Sequence, residues 1–253
     1  MGTALVRGLC SAGWDATSVT VVEVDEARRA QLAGALPGVT LAEAPLSAEG
    51  AVLAVKPQSA KEAARALAAV AAPRWLSIMA GVTLQRLQSW AGPQVAVVRA
   101  MPNTPALVGA GMTAIAAGDG AGEEDMAWAE ALLGAVGQVV RVPEGAMDAV
   151  TAVSGSGPAY VFLLAEALAA AGEEQGLDPE LSRRLALATV AGAGRLLAEP
   201  GADPAALRAQ VTSPGGTTEA ALSVLEAAGL RPALARAVAA AAARSRQIGT
   251  EPG

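Results

Sequence analysis

The chain has 253 residues, 53% of them hydrophobic and only 2% aromatic, with a formal net charge of −6. It has no His and a single cysteine, Cys10, which excludes an intrachain disulfide, a His-built zinc site and a Ser-His or Cys-His nucleophile. No basic run interleaves with aromatic residues, so nothing points to a nucleic-acid partner.

The length suits one large domain or two modest ones. The chain is rich in Ala, and Ala-rich helices form easily but bury little area each. Such helices gain by packing closely, often against another subunit. The chain opens Met1-Gly2-Thr3-Ala4-Leu5, and a helix is predicted over Thr3–Ala12. Short apolar runs then alternate with helical patterns. Strands are predicted at Thr20–Val24, Ala51–Val55, Trp75–Met79, Val95–Arg99, Met112–Ala116 and Gln138–Val142. Helices are predicted between them at Glu26–Leu36, Ser59–Ala71, Leu84–Trp90 and Glu123–Val136. This spacing implies βαβ units and a mainly parallel sheet.

The pattern changes near Pro143–Met147. Beyond it only helices are predicted, at Met147–Gln175, Pro179–Ala198, Pro204–Val211, Thr217–Ala228 and Pro232–Ile248. Asp178-Pro179 and Asp203-Pro204 each place an N-cap residue before a first-turn proline. The expected organisation is an α/β dinucleotide-binding domain over 1–146 and an all-α domain over 147–253. The stretch Ala149–Ala165 is uncharged but contains Ser154-Gly155-Ser156-Gly157-Pro158. It reads as a helix interrupted by a tight turn or a close contact, not as a membrane span. No signal-peptide pattern is visible, and the expected location is the cytoplasm.

Gly2 followed directly by a helix fits only the last glycine of a G-x-G-x-x-G cofactor motif. Glu23, at the end of Thr20-Val21-Val22, stands where an acidic residue accepts the ribose hydroxyls. The expectation is a chain start about ten residues upstream, the length of one strand and its turn. Lys56, in Ala54-Val55-Lys56-Pro57, sits at the carboxyl end of a strand, where doubly wound folds bind ligands; a solvated lysine explains it equally well. Ala80 lies in Ser77-Ile78-Met79-Ala80-Gly81, a strand end with small residues where a nicotinamide ring fits. Two prolines around Asn103-Thr104 fix a rigid turn that is expected to point both polar side chains outward, towards a nicotinamide amide or a ribose.

Thr212-Ser213-Pro214-Gly215-Gly216-Thr217-Thr218 leads into an amphipathic helix. A helix start offers free N–H groups and partial positive charge, a ready site for a carboxylate. A glycine turn with an N-cap is the plainer reading. Two glycines, one proline and four hydroxyls in seven residues exceed what a cap needs.

Together Val211–Leu222, Ser154–Phe162, Arg99–Pro105, Ala54–Gln58 and the opening Met1–Leu5 resemble the pyrroline-5-carboxylate reductase family, in that family's order and over nearly the whole chain. The resemblance implies a Rossmann-type N-terminal domain and a helical C-terminal dimerisation domain. It also implies reduction of 1-pyrroline-5-carboxylate to L-proline by NADPH or NADH, the last step of proline synthesis. Ser213, Gly215, Gly216, Thr217 and Thr218 match the loop that binds the substrate carboxylate. Thr218 matches the threonine at the ring nitrogen, and Val211 a residue lining the ring. Lys56, Ala80, Met101, Pro102 and Asn103 match positions around the cofactor, joined by Gly2 and Glu23. NADPH is expected from the family. Glu23 favours NADH, and Arg28 and Arg29 just beyond it could offset that.

The lack of His suits imine reduction, because a protonated C=N bond is already an electrophile and mainly needs proximity and orientation. A β-hydroxyacid dehydrogenase of similar architecture would need a lysine in the long interdomain helix, and Met147–Gln175 has none. A non-catalytic dimeric scaffold is the alternative if Met1 is the true start. Pro232–Ile248 is apolar on nearly every face and is expected to be buried against a second subunit.

Overall fold

A computed structural model of the chain describes residues 1–250. The elements follow the predicted order closely. They are α1 (Gly2–Ser11), β1 (Thr20–Val22), α2 (Glu26–Ala35), β2 (Thr40–Ala42), β3 (Ala51–Leu53), α3 (Ala60–Ala68), β4 (Arg74–Ser77), α4 (Leu84–Ala91), β5 (Ala96–Met101), β6 (Gly111–Ala117), α5 (Glu123–Gly134) and β7 (Gly137–Arg141). Only β2 was not foreseen. It is three residues long and nowhere fully buried, too short to display a period of two.

The strands form two groups, β1-β2 and β3-β4-β5-β6-β7. Every pairing is parallel except β5 with β6. The exception has a simple cause. A parallel crossover needs a dozen or more residues, and the link from β5 to β6 is a short loop built on the 3-10 turn Thr104–Val108.

The five-stranded sheet is buried on both faces. Successive residues alternate sides, so Trp75 and Val97 join one cluster while Leu76 and Val98 join the other. The first cluster takes Ala64 and Leu67 from α3, Leu84 and Leu87 from α4, and Met147. The second takes Leu5 and Leu9 from α1 and Leu132 and Leu133 from α5. The sheet is thus sandwiched by helices, as in doubly wound folds.

The remaining elements are helical: α6 (Met147–Val150), a π-turn at Thr151–Gly155, α7 (Gly157–Glu174), α8 (Pro179–Leu197), α9 (Pro204–Gln210), α10 (Thr217–Ala227) and α11 (Leu230–Thr250). The predicted interruption at Ser154–Pro158 is a widened turn, not a tight one. Pro158 has no N–H to give to the Ser154 carbonyl, so the regular ladder lapses there. The close contact is real: a Cβ on Gly155 would strike the Met101 methyl.

By compactness the chain forms two units, Met1–Ser156 with the end of α11 from Ala241, and Gly157–Ala240. This division falls later than residue 146, because Met147 is fully buried in the core beside the sheet. In the second unit α7 and α8 pack as a hairpin, and the Ser182 hydroxyl donates to the Ala169 carbonyl at 2.6 Å. The Asp178 and Asp203 side chains accept N–H bonds at the starts of α8 and α9, as their sequence positions require.

Glu144–Glu174 is the one stretch among the described residues that is long and apolar enough to cross a membrane, and only 11% of its apolar window is buried. Phe162, Leu163 and Leu164 on α7 are exposed in the single chain, as are Leu230 and Leu234 on α11.

Candidate active site

In the first unit the expected cofactor residues gather at the carboxyl ends of the parallel strands. Gly2 begins α1, which has no side-chain cap and no acidic residue in its first turn. A Cβ on Gly2 would sit 3.2 Å from that of Ala54, just past β3. Glycine therefore lets the helix start pack closely against the strand end. An uncapped helix start beside a strand end is the kind of place where a pyrophosphate binds in doubly wound folds. Lys56 follows β3 and is exposed, a cation beside this edge. Ala80 is half-buried after β4, and Gly81 follows it with φ 77°.

Glu23 lies one residue past β1, and its Oε1 accepts the Asp25 N–H at 3.1 Å. Arg29 donates to the carbonyls of Glu23 at 2.6 Å and Val24 at 2.9 Å, and pairs with Glu43 at 2.8 Å. Arg28 donates to Gln31 at 3.1 Å. Arg29 thus braces the Glu23 turn and is already paired with a carboxylate.

At the end of β5, Met101 is half-buried and Pro102 buried. Thr104 is exposed, but Asn103 turns inward, contrary to the expectation for both. Its Oδ1 accepts the Met112 N–H at 2.9 Å, and its Nδ2 donates to Ser154 Oγ at 3.2 Å. One N–H and one lone pair of its carboxamide are thus used within the protein.

In the second unit, Val211 ends α9 and is exposed, and Ser213, Gly215 and Thr217 are exposed beside it. Gly215 has φ 71°, a left-handed conformation that glycine adopts without penalty. The Gly216 N–H donates to the Ser213 carbonyl at 3.0 Å, closing the turn. A Cβ on Gly216 would collide with the Ser213 hydroxyl. Gly216 then starts α10 with no side-chain cap. Thr217 and Thr218 form its first turn, so their N–H groups face outward with no intrahelical acceptor.

Two features of these loops were missed. Glu219 reaches back to accept the Gly215 N–H at 2.7 Å. A glutamate at the third helical position is a known cap signal and could have been read. Glu144 had no such local signal. Its Oε1 accepts the Leu84 N–H at 2.6 Å and pairs with the buried Arg99 at 3.0 Å.

An α/β unit of the doubly wound kind, followed by helices of which α10 starts uncapped after a glycine turn, fits one class: a nicotinamide-dependent oxidoreductase with a helical second domain. Comparison with known proteins narrows it. Residues 144–248 match the family model for pyrroline-5-carboxylate reductase dimerisation, and residues 1–81 match that for NADP oxidoreductase, coenzyme F420-dependent. A pyrroline-5-carboxylate reductase of Synechocystis sp. is 51% identical over 208 residues, 82% of this chain and 78% of that protein. The solved structure of the Coxiella burnetii pyrroline-5-carboxylate reductase superposes with a TM-score of 0.91 at 35% identity, covering 99% of this chain and 95% of the other. A Plasmodium falciparum pyrroline carboxylate reductase with NADP bound gives 0.82 at 27% identity, covering 99% and 95%.

The chain belongs to the pyrroline-5-carboxylate reductase family. It is an oxidoreductase with a Rossmann-type domain, a pyridine-nucleotide cofactor and a dimerisation domain.

Proposed function

We propose that this protein reduces 1-pyrroline-5-carboxylate to L-proline, with NADPH as the preferred reductant and NADH as the alternative. The observation that carries the reading is the start of α10, where Gly216 leaves the N–H groups of Thr217 and Thr218 uncapped. A five-membered ring bearing a carboxylate suits that site. The helix N-terminus takes the carboxylate, and the exposed Val211 side chain offers apolar surface to the ring.

The bound nucleotide supplies a hydride; the other tasks fall to this chain's own groups. Thr217, Thr218 and Ser213 donate from N–H and hydroxyl groups without adding charge. The Thr218 hydroxyl orients the ring nitrogen and relays its proton. Orientation of a cationic imine beside its reductant is sufficient for chemistry of this kind.

On the cofactor side, Gly2, Lys56, Ala80, Met101 and Pro102 form the proposed contacts, and Glu23 faces the ribose. Asn103 joins them, with one N–H and one lone pair of its carboxamide already engaged by Ser154 and Met112. NADPH is supported by the NADP oxidoreductase match and the NADP-bound relative. The pairing of Arg29 with Glu43 weighs towards NADH, because that arginine must exchange partners to meet a 2′-phosphate. The exposed apolar rows of α7 and α11 support a homodimer or an assembly of dimers. A cytoplasmic location accompanies this biosynthetic reading.

The test is a steady-state assay of the purified protein with 1-pyrroline-5-carboxylate and each reduced nucleotide, following nicotinamide absorbance and proline by mass. Proline formed in proportion to nucleotide oxidised is expected. No turnover with either nucleotide would refute the reading.

A further inference from the structure

Ser77 on β4 and Arg99 on β5 are register partners, and both are buried. Beyond Ser77 the chain leaves the sheet through Ile78–Thr83 and enters α4. Beyond Arg99 it runs to Met101 and Pro102. Both exits carry proposed cofactor contacts, and both are joined to the same carboxylate. Glu144 Oε1 accepts the Leu84 N–H at 2.6 Å, which is the first N–H of α4, and the Arg99 guanidinium at 3.0 Å. Carboxylate, helix start and guanidinium are mutually favourable there.

The same short segment holds the other end of the loop. Asp148, on α6, accepts the Ser245 hydroxyl at 2.6 Å, and Ser245 is buried. The following turn of α11 brings Ile248 and Gly249 against Gly81, where any Cβ would strike Ile248. The Ala80–Thr83 loop is therefore braced by Glu144 at Leu84 and by α11 at Gly81. Burying Arg99 beside a carboxylate is a poor way to gain stability, since apolar residues of similar volume do as well or better.

We infer that Glu144 is a positioning residue for hydride transfer. By bridging Arg99 and the start of α4, it holds the Ala80–Thr83 loop and the Met101–Pro102 strand end in one fixed arrangement. This rests on the proposed reductase activity and deepens it.

The experiment compares the full-length wild type with Glu144→Ala, Glu144→Gln and the double variant Arg99→Met/Glu144→Met. The wild type is assayed first, and its failure to turn over removes the functional reading together with this inference. With an active wild type, Glu144→Ala is expected to lower kcat by roughly ten- to a hundredfold, the scale of a small misplacement of reacting groups. It should raise the nucleotide KM several-fold while the KM for the imine changes less than about twofold. Glu144→Gln keeps an acceptor oxygen and should recover most of the loss. The double variant removes the pair without leaving a lone buried charge. It still orphans the Leu84 N–H, so it should lose less Tm than Glu144→Ala yet keep the defects in kcat and nucleotide KM. Without nucleotide, hydrogen exchange of the peptide spanning 79–84 should quicken in the double variant, with protection elsewhere unchanged. A double variant with wild-type kcat, nucleotide KM and loop exchange would overturn the inference, as would a loss in Glu144→Ala confined to Tm.

Discussion

The Asn103 carboxamide donates to the Ser154 hydroxyl at 3.2 Å while accepting the Met112 N–H at 2.9 Å. One side chain thus ties the loop after β5 to the start of β6 and to the π-turn ahead of α7. Asn103→Ala leaves the Met112 N–H without its partner. It should cost about 1–3 kcal/mol, the usual penalty for orphaning a part-buried donor. Urea unfolding with an unchanged m-value would measure it. Ser154→Ala removes only the weaker end and should cost less. Equal losses would mean that the Ser154 contact carries the link.

Thr218 lies in the first turn of α10, and its side chain is half-buried. If its hydroxyl meets the reacting nitrogen, Thr218→Ala should lower kcat by roughly ten- to a hundredfold, the worth of one hydrogen bond to a charged group. Thr218→Ser should keep most of the rate. Circular dichroism should show the fold intact in both. Turnover of Thr218→Ala at the wild-type rate would remove this side chain from the mechanism.

Arg141 on β7 donates to Glu123 at 2.6 and 2.7 Å and to Glu130 at 2.6 and 2.9 Å, stapling that strand to α5. Its hydrogen bonds hold both carboxyls below their ordinary value of 4.5. The unfolded chain therefore takes up these protons first. The contribution is complete above about pH 4.5 and fades as the pH falls through the lower folded values. The groups are exposed, so the effect is modest and screened by salt. Thermal melts from pH 7 to 3 should show the wild type losing its lead over Arg141→Gln on acidification. A constant difference across that range would contradict this origin.

Phe162, Leu163 and Leu164 stand exposed on α7, within the region matched to the dimerisation family. Such a run is expected to be covered by another surface, and a second copy of the chain is the partner proposed. Phe162→Asp should shift the protein from dimer to monomer by light scattering. The wild-type Tm should rise with protein concentration, as for any folded state stabilised by association. A wild type that is monomeric at all concentrations would contradict the expectation.

Much of the molecule was legible in the chain itself, because its signals are local. The apolar periods located nearly every helix and strand. Asp178 and Asp203 announced helix starts, and the Ser213–Thr218 run announced an uncapped helix opening in a glycine turn. These features depend on backbone preference and neighbours a few residues away. The folded chain decided what no local pattern encodes. Strand β2 exists because β1 offers it a ladder, and β6 runs antiparallel because its connection is short. Asn103 turns inward because Met112 and Ser154 lie there to receive it. Glu144 meets Arg99 across 45 residues, and Ser245 meets Asp148 across 97. Such partners are selected by packing that brings distant segments together. The residues proposed to accept the ligand therefore lie in runs the sequence displays, while those that hold the loops around them emerged only once the sheet and its helices had closed.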